Sequence, residues 1–129
     1  MKLSLLLAVG RPLFAYLYGS LLVEHGYRVE TTNGGFDCVG WLRQRCFDLL
    51  IIDQELPWGG GEGVLDCMRD QPAISIPVIM LTALPKSATL SDLIRPPVVA
   101  YLRKPVACRD LLASVQYAES QRSSMSLLA

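Results

Sequence analysis

Asp48-Leu49-Leu50-Ile51-Ile52-Asp53 is the stretch on which the rest of the chain turns. Apolar residues in succession, with no polar alternate, fit a strand buried on both faces, the kind found in parallel sheets covered by helices on both sides. The run ends in a carboxylate, Asp53, and the loop Pro57-Trp58-Gly59-Gly60-Gly61 follows shortly after. Such a strand needs neighbours, so the flanking sequence should supply more strands and the helices that cover them.

It does. Residues 3–9, 77–82 and 98–102 are further apolar runs of strand length, and 27–32 reads as a short β-rich strand. Pro12 suits the first position of a helix, since its missing N–H has no partner there. From it Leu13, Phe14, Leu17, Leu21 and Leu22 keep helical spacing to about His25, and Gly26 can close the helix in a left-handed conformation. Asn33-Gly34-Gly35 is a turn releasing a second helix that carries Val39, Trp41 and Leu42; Val64, Leu65 and Met68 mark a third, ending near Arg69. A short helix is expected within residues 87–94, stopped by Arg95-Pro96-Pro97. The last runs from Arg109 to about Gln121, leaving 123–129 as a flexible C-terminal tail. The pattern predicts an α/β fold: one domain over residues 1–122, a five-stranded parallel sheet with helices on both faces.

Composition narrows the function classes. The chain has 129 residues, 51% hydrophobic and 19% charged, enough to bury a core and too little charged for disorder. Its formal net charge is zero, so no field attracts a phosphate backbone or anionic lipid, and neither direct nucleic-acid contact nor a membrane is expected. Cys38, Cys46, Cys67 and Cys108 form no CxxC pair and His25 is the single histidine, which excludes a structural zinc site and fits reduced, buried thiols of a cytoplasmic domain. The beginning, Met1-Lys2 and then Leu3-Ser4-Leu5-Leu6-Leu7-Ala8, allows an export signal or an anchor as the alternative. A span would place Arg11 at its middle, at about 2.5 to 3.5 kcal/mol on insertion scales. A first buried strand continues the alternation and is the reading taken.

In such sheets ligands sit at the carboxyl ends of the strands, where Asp53, Thr82 and Arg103-Lys104 stand. Phe47 to Asp53 followed by Glu55-Leu56-Pro57, then Val78-Ile79-Met80-Leu81-Thr82-Ala83, then Tyr101-Leu102-Arg103-Lys104-Pro105, with Gly61 in the loop, resemble in this order the receiver domain of two-component response regulators. The resemblance covers residues 3 to about 121 and implies a flavodoxin-like (βα)5 receiver fold. It further implies Asp53 as the phosphoacceptor position served by a histidine kinase, Thr82 as the hydroxyl and Lys104 as the cation that hold the phosphoryl group, and Tyr101 as the aromatic switch. A carboxylate nucleophile needs such fixed cations to neutralise the incoming phosphoryl oxygens.

One motif departs from the family. Its pair of acidic residues after the first strand, which hold Mg²⁺, falls on Val9 and Gly10 when aligned on Pro12. Neither side chain offers an oxygen, and Mg²⁺ gives up its waters reluctantly. Asp53 and Glu55 alone make a poor site, so no metal ligand and no cofactor is assigned. Arg11 could take the metal's place as a permanent cation. The sequence thus predicts an atypical, or pseudo-, receiver that is not an enzyme and acts mainly by binding a protein, a histidine kinase or a downstream effector, with a homodimer as a further option. The rival is a working receiver phosphorylated on Asp53.

Overall fold

The computed structural model describes residues 3–84 and 94–128. Five strands, β1 (Ser4–Ala8), β2 (Arg28–Thr32), β3 (Leu49–Asp53), β4 (Val78–Thr82) and β5 (Val98–Arg103), form one sheet in the order β2-β1-β3-β4-β5. Every pairing is parallel. Four helices connect or follow them among the described residues: α1 (Pro12–Glu24), α2 (Gly35–Gln44), α3 (Gly60–Arg69) and α4 (Cys108–Leu128).

Alternation along the central strands explains why their sequences show none. Leu6, Ala8, Leu50, Ile52, Val78 and Met80 point to one face, where Cys38 and Leu42 of α2 and Val64, Leu65 and Met68 of α3 close over them. Leu5, Leu7, Leu49, Ile51, Ile79 and Leu81 point to the other, against Tyr18 and Leu22 of α1 and Leu111, Val115 and Ala118 of α4. Both sets must be apolar, so the strands read as unbroken runs. β1 lies between β2 and β3, which is the buried-strand reading of the first residues. No helix among the described residues is long and apolar enough to cross a membrane.

The helix ends follow local chemistry. Pro12 opens α1, and Gly26, at φ +93°, leaves it in the left-handed region. Gly35 allows the β3–α3 loop to dock on the start of α2: its N–H donates to the Pro57 carbonyl at 2.8 Å, and a Cβ there would collide with the Trp58 carbonyl oxygen. The last helix differs from expectation. It continues past Gln121 to Leu128, since nothing from Cys108 to Leu128 is a glycine or proline that would end it. The helix expected at residues 87–94 lies outside the described residues, Ile94 apart.

The four cysteines are free, and only Cys38 is fully buried, its thiol pushed up to about 12 by burial. Cys46 and Cys108 are exposed, which corrects the expectation that all are internal. The exposed Arg45 pairs with Glu30 at 3.2 Å and lies over the Trp41 ring, 5.2 Å from its centre.

Candidate functional site at the carboxyl ends of the strands

Parallel register brings the strand-ending polar residues to one edge. Asp53 is level with Leu81 on β4, Thr82 with Arg103 on β5, and the Lys104 N–H donates to the Thr82 carbonyl at 2.8 Å. From there the Lys104 side chain crosses to Asp53 and places Nζ 2.9 Å from Oδ1 and 3.0 Å from Oδ2. The Glu55 N–H donates to Oδ1 at 2.9 Å, and the Glu55 carboxylate stands 3.7 Å from the same ammonium. Asp53 is only 13% exposed, so the lysine neutralises a carboxylate that water reaches poorly.

Thr82 is fully buried at the same edge, but its hydroxyl is engaged elsewhere. It donates to the Gln54 side-chain carbonyl and accepts from the Leu84 N–H at 3.1 Å. Gln54 is itself fixed by its backbone: its N–H donates to the Leu81 carbonyl at 2.8 Å and its carbonyl accepts from the Gly61 N–H at 3.0 Å. A Cβ on Gly61 would sit 3.0 Å from the Gln54 Cα and 2.9 Å from the Met80 sulfur, so this turn requires glycine there. Gln54 is the site residue that sequence reasoning missed. Its one signal is a polar side chain directly after the acid, and no local pattern pairs it with a residue 28 positions away.

Arg11 does not take the place foreseen for it. It borders the cleft but is exposed, and it makes no hydrogen bond or ion pair to Asp53 or Glu55; Lys104 already occupies both oxygens of the acid. Tyr101 is partly buried against the α2–α3 face of the sheet, one layer away from the cleft. Burial first, then Glu62, raises its hydroxyl pKa, with Arg69 and Arg95 opposing.

The cleft, about 560 Å³, runs between the end of β1 and the β5–α4 connection and is lined by Val9, Gly10, Phe14, Tyr18, Asp53 and Lys104 among others. Tyr18 is buried beside Phe14, and burial raises its hydroxyl pKa while the Val106 backbone group bonded to it lowers it. Val9 belongs to the apolar core, and a Cβ on Gly10 would meet the Pro57 ring at 3.0 Å. An acidic side chain at either position would therefore need its surroundings to move. Among the described residues no group of three or more His, Cys, Asp or Glu could hold a metal ion. This donor set does not suit Mg²⁺, which prefers several oxygens in octahedral array.

A doubly covered parallel sheet in this strand order, with an acid, a lysine and a buried hydroxyl at its carboxyl edge, defines a flavodoxin-like α/β signalling module. The chain belongs to the response regulator receiver domain family, whose profile matches residues 6–116. It is 31% identical over 106 residues to the transcriptional regulatory protein DltR of Streptococcus agalactiae, covering 81% of this chain and 46% of that protein. It is 28% identical over 104 residues to the sensor protein GacS of Pseudomonas syringae pv. syringae, covering 78% of this chain and 12% of that one. The chain thus spans less than half of either relative. Among solved structures, the signal receiver domain of a protein described as a Luxo repressor from Vibrio parahaemolyticus superimposes with TM-score 0.87 at 26% identity, covering 99% of this chain and 98% of that one.

Proposed function

We propose that this receiver domain of two-component signalling is of the atypical kind: a cytoplasmic protein-binding module with weak or absent Mg²⁺-dependent phosphorylation and no catalytic turnover of its own. The observation that carries the reading is the end of β1. Val9 and Gly10 stand where the family's metal-holding acids would be, while Lys104 contacts both oxygens of Asp53. Without acids beside Asp53 to hold a metal, the module would act through its surface, which a histidine kinase or an effector would recognise.

The test is thermal melting in millimolar Mg²⁺. A ligand at about 100 times its Kd adds roughly 2.7 kcal/mol of stability, so a working site would show as a clear rise in Tm. The Tm is expected not to respond to Mg²⁺ beyond what equal ionic strength gives. The second reading, a working phosphoacceptor, draws support from the intact Asp53–Lys104 pair in an open cleft beside Glu55. A Mg²⁺-specific rise in Tm that Asp53→Asn removes would favour it.

A further inference from the structure

β2 is an edge strand of the sheet. The Arg28 N–H donates to the Leu3 carbonyl and the Thr32 carbonyl accepts from the Val9 N–H, so Arg28, Glu30 and Thr32 turn their backbone groups toward β1. Val29 and Thr31, between them, turn theirs outward. An open row of this kind is a template for one more strand. It forms the floor of a groove of about 830 Å³ whose walls include Tyr16 and Val23 of α1 and Trp41 of α2.

Charge in the groove selects the occupant. Its charged lining residues are Glu24 and Asp37, both acidic, both exposed, and neither paired with a cation among the described residues. Glu24 closes α1 shortly before β2 begins, and Asp37 lies in the first turn of α2 shortly after β2 ends, so one acid stands at each end of the open edge. Thr32 lines the same groove; it is 7% exposed, and its hydroxyl has no hydrogen-bond partner among the described residues. A buried hydroxyl left unpaired is unfavourable, and a polar backbone laid beside it would satisfy it.

We propose that the β2 edge takes an extended basic peptide of a partner protein as a sixth strand. The peptide backbone bonds to Val29 and Thr31, its apolar side chains rest on the groove walls, and two lysines or arginines reach Glu24 and Asp37. The two acids belong to opposite walls, and successive side chains of a strand point to opposite sides, so the basic residues stand an odd number apart. Five residues, about 16 Å, carry one past each end of β2. An acidic peptide meets two like charges instead. So does the β2 of a second copy, which in antiparallel pairing would bring Glu24 of one chain beside Asp37 of the other. None of Asp53, Glu55 and Lys104 lines this groove, and the proposal stands whether or not Asp53 is phosphorylated.

The test is an NMR titration of the full chain with a capped nine-residue peptide of alternating valine and threonine, carrying lysine at its second and seventh positions. Saturable binding is expected, with hydrogen exchange of the Val29 and Thr31 amides slowed by about tenfold or more. Glu24→Gln and Asp37→Asn should each weaken binding by about two- to fivefold, as exposed charge pairs do. Asp110→Asn on α4 and Asp53→Asn, both outside the groove, should leave it unchanged. Thr32→Val should raise the Tm of the free chain yet weaken the peptide by about two- to tenfold, opposite directions that a purely structural threonine would not give. A peptide that does not saturate at millimolar concentration overturns the proposal. Equal binding of a form with glutamate for both lysines, or of a form N-methylated on the amides facing the edge, overturns it too. So do shifts centred on Asp53 and Glu55, or a doubled mass showing that two copies pair through β2 in the peptide's place.

Discussion

Lys104 spreads one ammonium over both oxygens of Asp53, at 2.9 and 3.0 Å, and the pair is neither fully buried nor at the surface. Exposed pairs contribute about 0 to 1 kcal/mol, and breaking a buried one costs about 3 to 5. Lys104→Met, which keeps the stem and removes the charge, should fall between, at about 1 to 3 kcal/mol in urea unfolding. Arg11→Ala should stay within about 0.5 kcal/mol, because Arg11 is exposed and holds neither Asp53 nor Glu55. Asp53 and Lys104 were legible in the sequence because each closes an apolar run, and a parallel sheet gathers such ends. The engagement of Thr82 by Gln54 was not legible. Residue types fix which groups reach the edge, but the choice among neighbouring acceptors depends on loop geometry that Gly61 makes possible.

The elements were legible wherever an apolar run met a breaker: Gly26 after α1, Gly34-Gly35 before α2, Pro77 before β4 and Pro97 before β5. At the end of α4 no breaker occurs, and the helix runs past the expected boundary to Leu128. Glycine also separates local from tertiary demands within α2. Gly35→Ala would drive a Cβ into the Trp58 carbonyl and push the β3–α3 loop off the helix, with an expected loss of more than about 2 kcal/mol. Gly40→Ala, in the same helix with nothing within 4 Å of the added Cβ, should stabilise by about 0.4 to 1 kcal/mol. Thermal melting of the two variants, one moving down and the other up, checks the docking of loop on helix.

Across the whole molecule, Tyr27 after α1 joins α4 through a 3.0 Å bond from its hydroxyl to Glu119. Burial, and then this bond, push the hydroxyl from 10.0 up to about 12. Below pH 10.0 the tyrosine is neutral whether folded or not; between there and about 12 the unfolded chain gives up its proton first, so stability falls as pH rises. Buried Cys38 adds loss in the same direction, so the measure is a difference: Tyr27→Phe should flatten the alkaline decline relative to the unsubstituted protein. The fold at this scale was readable from composition and alternation, whereas the proposed state of the site rests on the two residues after β1, Val9 and Gly10. The most direct test is therefore intact-mass measurement after incubation with a small acyl-phosphate donor, with and without Mg²⁺. The unmodified mass should dominate in both conditions, with no gain from the metal. Near-complete addition of one phosphoryl group that requires Mg²⁺ and disappears in Asp53→Asn would contradict an atypical receiver.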